Sequence, residues 1–487
     1  MERDPLERLR IWIEAEGFKG YDPYDALNSP LLSGLSLGNK YLRIAFIQTL
    51  KRLPVNLRPL LLVKKDYNPK GLGLFLWGYA KRYAREKEPQ CLEQISKLLD
   101  LLDGCKTTMN VDSRFRGNDK GAHGIDKGAH GNDKVGNAGG KMDSRFRGND
   151  KVGHGWGYNF DWQSRAFFVP KHTPTIVNSA FIGHALLDTW RITGNQQALE
   201  MALPIADFIL RDLNRHEEDS ALCFSYTPLD RYFVHNANLM GASLLIRLYE
   251  TCNNLSALKD DPYVSFPHST LSFPRVPLSF PRAPLSFPRK RESIKPLEML
   301  DSRLRGNDGV ENDTAGTEIK AEFKKTALAA LAYTMRHQRD DGSWYYAEKE
   351  GAHWVDSFHT GFNLQSVLYF LEAGLGEEYR EGFQKGVQFY AEHFFLPDGT
   401  PKYYHDRTYP IDIHAPAQAV VFFSRMGPAY AKLVRRILKW MTTNMQDPEG
   451  FFYFQKHPWY TNRIPYMRWG QAWAFHALTE HFLHEPD

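Results

Sequence analysis

The stretch 403-YYHDRTYPIDIHAPAQAV-420 places two tyrosines, a His-Asp-Arg triplet and an Asp-Ile-His triplet directly before an alanine-rich run. The alanine-rich part predicts the start of a buried helix, because small side chains let neighbouring helices approach closely. Acids, bases and aromatics therefore fall just before one helix N-terminus. Other parts of the chain repeat this layout: an aromatic turn that contains glycine, then a polar cluster, then a helix of small residues. We interpret the repetition as the fold and the polar clusters as the floor of a site.

The repeated unit predicts a closed ring of helix pairs. Between its copies lie segments with one apolar face, at 197–213, 320–338, 376–395 and 428–445, which predict outer helices. Units of about 50 residues, each an antiparallel helix pair, are typical of repeat arrays. Six pairs give an all-α fold, the (α/α)6 toroid, with small-residue helices inside. The copies cover 66–84, 156–190, 223–250, 338–373, 397–426 and 447–482. Segments 40–63 and 72–104 also predict helices, joined by the loop at 64–73.

Two stretches, at about 110–153 and 259–316, interrupt this pattern. The sequence DSRFRGND occurs at 112–119 and 143–150, with DSRLRGND at 301–308, and SFP recurs in the second stretch before FPRKRES. They resemble translated copies of dispersed bacterial genomic repeats. Because such polar segments cannot bury enough apolar surface to offset the entropy of ordering, we expect them to be disordered inserts. The rest of residues 1–487 then fits one toroid domain.

Bulk composition excludes several classes. With 61 basic and 57 acidic residues the formal charge is +4, too balanced for a nucleic-acid binder. Aromatics make up 14% of the chain, enough for a large core and for stacking platforms.

The sequence predicts a cytoplasmic protein without a membrane span. It has four cysteines but no CxxC pair, its N-terminus is charged, and it lacks a long apolar run. We expect no cofactor and no metal, because neither Asp412-x-His414 nor His405-Asp406 has the spacing of a metal site. The oligomeric state stays open.

The loops that lead into the inner helices should meet at one mouth of the ring. Helix N-termini there would favour an anionic ligand such as a uronate. An alternative for residues such as Asp356 and Asp412 is helix capping, which Asp favours strongly. The catalytic candidates are Asp161, Asp356, Asp406, Asp412 and His414. The candidates for binding a substrate are Trp156, Trp162, Arg165, Arg231, His235, His359, Tyr404, Arg468 and Trp469.

The stretches 338-QRDDGSWYYA-347, 354-WVDSFHTGFN-363 and 403-YYHDRTYPIDIHAPAQA-419 resemble the six-hairpin toroid superfamily of unsaturated glucuronyl hydrolases, polysaccharide lyases and sugar epimerases. The stretches 20-GYDPYDALNSP-30 and 156-WGYNFDWQSRAFFVPKHTPT-175 are similar to proteins encoded in bacterial exopolysaccharide-biosynthesis clusters. The resemblance implies an enzyme that acts on a carbohydrate. A hydrolase would use a carboxylic acid among Asp161, Asp356 and Asp412.

A lyase or epimerase would instead use a base such as Tyr404, His405 or His414. In that mechanism an arginine (Arg165, Arg231 or Arg468) would pair with the carboxylate of the sugar.

Two alternatives remain. The sequence 338-QRDDGSW-344 is similar to the Gln-Trp motif of terpenoid-cyclase toroids, but the DxDD acid of that class is absent. We therefore interpret this motif as a turn that closes a helix pair. The other alternative is a toroid that binds sugar or acts as a scaffold without catalysis. We expect an enzyme of polysaccharide biosynthesis, with hydrolase, lyase or epimerase chemistry on an anionic saccharide.

Overall fold

The computed structural model describes residues 4–108, 153–260 and 313–484. Apart from residues 153, 259–260 and 313–316, the two predicted inserts lie outside the described residues. In chain order the helices are α1 (Pro5–Ala15), α2 (Pro30–Leu35), α3 (Lys40–Arg52), α4 (Pro69–Glu86), α5 (Pro89–Gly104), α6 (Ile176–Thr193), α7 (Gln196–Ala202), α8 (Ile205–Asp207), α9 (His235–Asp260), α10 (Asp313–Arg336), α11 (Ser357–Glu372), α12 (Arg380–His393), α13 (His414–Arg425), α14 (Ala431–Met445) and α15 (Ala472–His484).

Short irregular helices and hairpins connect these elements. Turns of 3-10 helix occur at Asp25–Asn28, Glu377–Tyr379 and Pro428–Tyr430, and π-helical turns at Phe208–Asp212 and Met467–Gln471. The strands pair antiparallel as β1–β2, β3–β4, β5–β6 and β7–β8–β9. They are β1 (Thr107–Thr108), β2 (His154–Gly155), β3 (Trp162–Gln163), β4 (Phe168–Val169), β5 (Arg215–Glu218), β6 (Ala221–Phe224), β7 (Ile411–Asp412), β8 (Gln455–Lys456) and β9 (Thr461–Asn462).

Within the described residues, six helices form a closed inner ring. In order around the ring, α4, α6, α9, α11, α13 and α15 each pack against the next, and α15 packs against α4. A second layer surrounds them: α5 packs on α4, α7 on α6, α10 on α9, α12 on α11, α14 on α13, and α1 on α15. The chain alternates between the two layers, so the predicted (α/α)6 toroid is confirmed.

Burial follows this layering. The inner helices are buried on nearly every face, as in α6 and α11. Outer helices bury one stripe, such as Val434, Ile437 and Met441 of α14. Glycine permits the closest approaches: a Cβ at Gly73 would lie 2.8 Å from Ile182 Cγ1, and one at Gly78 would lie 2.6 Å from Phe475 Cδ1. The small residues expected in the inner helices are therefore needed where α4 meets α6 and α15.

Three predicted helices have different bounds. The helix predicted over 40–63 ends at Arg52, because Pro54 follows and disfavours helical backbone at the residue before it. The helix predicted over 72–104 is two helices, α4 and α5, separated where Lys87 adopts a left-handed φ of 58°. The outer helix predicted over 197–213 is interrupted near Pro204 and ends in a π-helical turn.

Residues 26–65 form a separate lobe, which we call the α2–α3 lobe. It has its own small core, to which Leu27, Leu32, Ile47 and Leu50 contribute.

None of the helices in the described part of the chain combines the length and the apolar character that a bilayer crossing requires.

Candidate functional site

The inner helices begin at one end of the ring, which we call the mouth, and side chains bond their first N–H groups. Asn68 accepts from the N–H groups of Lys70 and Gly71, and Thr175 accepts from that of Asn178. Asp356 accepts from the backbone N–H of His359 at 3.0 Å. Because these acceptors already occupy N–H groups at the helix ends, the N-termini themselves offer an anion less than the sequence alone indicates.

Two buried ion pairs fix the loop before α2 at the mouth. The guanidinium of Arg468 donates to both oxygens of Asp22, at 2.5 and 2.8 Å. Arg58 donates to Asp25 at 2.6 Å and to the hydroxyl of Tyr466 at 2.8 Å. The predicted ligand-binding arginine Arg468 is thus engaged with a carboxylate of the chain itself, and it anchors the loop.

A pocket opens at the mouth between α9 and α11. Its empty space is about 200 Å³ when the open solvent at its entrance is included. The rings of Tyr346 and Trp354 stack in its wall, with centroids 4.6 Å apart. The buried side-chain oxygens of Asn236 and Asn363 have no hydrogen-bond partner within the described residues. The lining consists of Asn236, Trp344, Tyr345, Tyr346, Trp354, Asp356, His359, Thr360 and Asn363.

His359 and Asp356 form an oriented pair in the pocket wall. The Nδ1 of His359 lies 2.6 Å from Oδ2 of Asp356, and the indole N–H of Trp354 donates to the same oxygen at 3.1 Å. Asp356 is buried, whereas 23% of the His359 side chain is exposed. The carboxylate favours the tautomer with a proton on Nδ1, which leaves Nε2 of His359 for a ligand. Asp356 was predicted as a catalytic residue and His359 as a substrate-binding residue, and the structure brings the two together.

Beneath the mouth lies a group of buried polar side chains without partners. The Nζ of Lys70 lies 4.1 Å from the ring centroid of Phe181 and 5.3 Å from that of Trp473. Burial, together with the charge of Arg468, lowers the pKa of Lys70 well below its usual value. Neither the side-chain nitrogen nor the side-chain oxygen of Asn178 has a partner within the described residues. Buried polar groups in proteins are normally bonded, so this group points to a ligand or to water.

His414 belongs to the same buried group. Its ring stacks on Phe358 at 4.5 Å and lies 4.2 Å from that of Trp473. Both ring nitrogens lack a partner in the described part of the chain. Burial, and then the charges of Lys70 and Arg468, lower the pKa of His414 well below its usual value. His414 is therefore held neutral below the mouth.

Asp412 is the most constrained predicted acid. It is fully buried and accepts from the His414 N–H at 3.0 Å, from Gln455 at 2.7 Å and from the indole of Trp469 at 2.8 Å. Burial raises the pKa of Asp412, although these three hydrogen bonds oppose the shift. The carboxylate thus positions Trp469 and the start of α13.

Several other predicted residues have structural partners. Trp156 is fully buried and donates to the carbonyl of Leu102 at 2.8 Å, which leaves no ring face for a sugar. Asp161 accepts from the N–H of Lys171 at 2.8 Å in the loop around β3 and β4. Trp162 is half-buried among Tyr24, Tyr158, Phe167 and Tyr226.

The remaining candidates lie outside the pocket lining. Arg165 and Arg231 are exposed. Asp406 is exposed and pairs with Arg407, and Tyr404 is half-buried. His235 bonds Glu348 at 2.8 Å through Nε2.

Sequence reasoning missed several residues of the site. Lys70, Asn178, Asn363 and Tyr346 were not singled out. A signal existed for three of them: a lysine or an amide in the first turns of a nearly apolar inner helix has no solvent to face, so it needs a partner inside the ring. Tyr346 lies among many aromatic residues and had no such signal.

Two solved structures are similar to this chain in fold. Lin0763 from Listeria innocua matches with a TM-score of 0.51 and 11% identity, covering 99% of this chain and 97% of that one. A cellobiose 2-epimerase from Bacillus thermoamylovorans matches with a TM-score of 0.50 and 13% identity, covering 86% of this chain and 87% of that one. No protein-family model matches the chain, and no curated protein sequence matches it. These similarities support the toroid fold.

Proposed function

We propose that this chain is a carbohydrate-active enzyme that acts on an anionic, uronate-like saccharide at the mouth, with His359 as general acid–base. One observation carries the proposal: a histidine oriented by a buried carboxylate presents its second nitrogen to an open pocket. A base held in place by a third group is the usual arrangement for proton transfer in enzymes.

The residues that line the pocket offer the kinds of contact that a sugar makes. Tyr346 and Trp354 offer aromatic surface, on which the C–H face of a sugar can pack. The side-chain oxygens of Asn236 and Asn363 are acceptors for hydroxyl groups, which supply O–H donors. A pocket that combines aromatic walls with a few convergent polar atoms is typical of a small-molecule site.

The chemistry favoured by this arrangement is the lyase or epimerase kind. Hydrolysis of a glycosidic bond usually requires two carboxyl groups that flank it. Among the residues that line the pocket, Asp356 is the one carboxylate, and His359 is bonded to it. A histidine base can remove a proton from the carbon beside a carbonyl or carboxylate group, and the protonated His359 or a water molecule can then return a proton to that carbon or to the leaving oxygen, so no second carboxyl group is required.

The preference for an anion rests on two lysines near the mouth, because no lysine or arginine lines the pocket itself. Lys70 is buried without an ion-pair partner in the described residues, so a carboxylate would supply the missing counter-charge. Lys51 donates to the hydroxyl of Tyr24 at 2.6 Å and lies over the ring of Trp469.

A role in exopolysaccharide biosynthesis and a cytoplasmic location belong to the same proposal. The role rests on the sequence resemblance, and the location rests on composition.

The motif at residues 338–344, which favoured the terpenoid alternative, has a structural role in the fold. The side-chain amide of Gln338 donates to the carbonyls of Gly342 and Gly382, at 2.9 and 2.8 Å, and the indole of Trp344 donates to Thr334 at 3.0 Å. This turn ties the end of α10 to α12. A scaffold would bind a saccharide at the mouth without converting it, so a turnover assay separates this alternative from the enzyme.

Calorimetric titration with uronate-containing and neutral oligosaccharides, paired with a turnover assay, tests the proposal. We expect the wild type to bind and convert a uronate-containing saccharide. His359→Gln should bind it with similar affinity and fail to convert it. Asp406→Ala, which changes an exposed residue outside the pocket, is the control and should convert it normally. Binding without turnover in the wild type would favour the scaffold, and equal turnover by His359→Gln would refute the assigned base.

A further inference from the structure

The α2–α3 lobe differs in charge from the rest of the chain. Residues 26–65 contain seven Lys and Arg residues and no Asp or Glu, whereas the whole chain is nearly balanced at +4. Arg58 is paired with Asp25, and Lys65 with Glu16. Lys40, Arg52 and Lys64 are exposed and have no ion-pair partner within the described residues. The lobe therefore presents uncompensated positive charge to its surroundings.

The same lobe exposes most of the large apolar side chains on the described surface. Eight such side chains are more than half exposed, and six of them lie in the lobe. Leu37 is 87% exposed and Leu62 is 57% exposed, and both project from turns in which their backbone φ is positive. The other four are Leu35, Tyr41, Val55 and Leu60. Exposed apolar groups concentrated in one region mark an interaction surface.

We propose that the α2–α3 lobe docks the protein on an anionic lipid surface, with its exposed leucines at the acyl boundary and its lysines and arginines among the headgroups. Apolar tips interspersed with basic residues are the pattern of proteins that lie in a membrane interface without crossing it. A symmetric contact between two copies is less suited to this surface, because it would bring two uncompensated positive lobes together.

Docking through this lobe would hold the mouth close to the membrane. Asn28 of the lobe donates to the carbonyl of Asn159 at 3.1 Å, and Lys51 lies over the ring of Trp469. The lobe is thus attached at the rim of the mouth. Membrane docking does not depend on the proposed reaction, because it is measured without a sugar.

Vesicle co-sedimentation of the full chain tests the inference. We expect binding to phosphatidylcholine vesicles that contain about a third phosphatidylglycerol, weak binding to pure phosphatidylcholine, and loss of binding at high salt. The double variant Leu37→Ser with Leu60→Ser removes two exposed apolar side chains and leaves the charge unchanged. The double variant Lys40→Glu with Lys64→Glu reverses charge and leaves the tips. Each should weaken binding by at least about tenfold.

Matched controls lie on outer helices away from the lobe. Leu92→Ser on α5, and Lys432→Glu with Lys439→Glu on α14, make the same chemical changes and should leave vesicle binding unchanged. No binding to anionic vesicles would overturn the inference, as would equal loss in the control variants. A concentration-dependent dimer that the lobe variants break, without vesicle binding, would assign the surface to a second copy. Binding that is insensitive to the leucine variants would indicate a soluble polyanion in place of a membrane.

Discussion

Two lysines on one inner helix, at opposite ends of the ring, have opposite surroundings. Lys70, in the first turn of α4, is buried at the mouth and has no ion-pair partner among the described residues. Lys81, three turns later, is equally buried and pairs with Glu480, with Nδ1 of His476 at 3.3 Å. Burial lowers the pKa of both amines. The two lysines share a helix, a residue type and a degree of burial. They differ in the groups that surround each amine.

At the far end of the ring, several buried charged side chains are paired with one another. Arg247 donates to Asp188, and the indole of Trp77 donates to the same carboxylate at 2.6 Å. Arg425 donates to both oxygens of Glu372, at 2.9 and 2.8 Å. These groups satisfy one another, which is how buried charges contribute to a fold.

The mouth, in contrast, retains unpaired atoms. Within the described residues, they belong to Asn178, Asn236, Asn363 and His414. The amine of Lys70 lies over aromatic rings and has no ion-pair partner there. A fold that pairs its buried charges at one end and leaves several buried polar groups without partners at the other indicates where a ligand completes the bonding. The far end is structural and the mouth is the candidate site.

The largest expected effect is at the far end. Lys81→Met removes the counter-charge of Glu480, whose side chain is only 4% exposed, so the free energy of unfolding should fall by about 3–5 kcal/mol. Denaturant titration measures it. The double variant Lys81→Met with Glu480→Leu should recover most of the loss, because an apolar pair replaces both charges. A small loss in the single variant would show that the far end is not held by its ion pairs.

At the mouth, substitutions should lower the turnover rate, whereas the substitution at the far end lowers stability. His359→Gln removes the base, so the rate should drop by about 10²–10⁴-fold. Asp356→Asn retains a good helix cap and removes the carboxylate that orients His359, so a smaller drop is expected with little change in stability. Turnover and denaturant titration on the same preparations separate the two effects. Loss of stability in either variant comparable to that of Lys81→Met would erase the contrast between the ends.

The sequence anticipated the contrast only in part. Small-residue and amphipathic helices alternate visibly along the chain, so the ring and the end at which its polar loops gather followed from periodicity. Asp356 and Asp412 occupy similar positions before inner helices, yet one orients a histidine three residues on and the other is bonded by Gln455 and Trp469. Partners that lie 43 and 57 residues away cannot be inferred from spacing. The same limit hid Lys70, because spacing cannot show that a buried lysine has no ion-pair partner in the part of the chain that the structure describes.

The direct counterpart of Lys81→Met is Lys70→Met. No ion pair is lost at the mouth, so the free energy of unfolding should stay within about 1 kcal/mol of the wild-type value. Affinity for a uronate-containing saccharide should fall by about tenfold, and affinity for a neutral one should be unchanged. Calorimetric titration with both sugars measures this. Equal loss for both sugars would remove the anionic preference from the proposal.

A further effect of comparable size concerns pH. The folded-state pKa of His414 is lowered by burial, so below a pH of about 6.5 the unfolded chain binds a proton that the folded chain does not. Stability that is present above this pH is therefore lost as the pH falls. His414→Phe removes that loss and should retain about 1.4 kcal/mol more of its neutral-pH stability at pH 5.5. Denaturant titration at both pH values measures it; parallel pH profiles would mean that His414 is hydrated or paired.

The most direct test of the assigned base is proton exchange at a sugar carbon. The protein is incubated with uronate-containing saccharides in deuterium oxide, and nuclear magnetic resonance follows deuterium entering the sugar or an unsaturated product forming. The wild type and Asp406→Ala should show one of these changes, and His359→Gln should show neither. Hydrolysis without deuterium at carbon, or unchanged exchange in His359→Gln, would contradict the account.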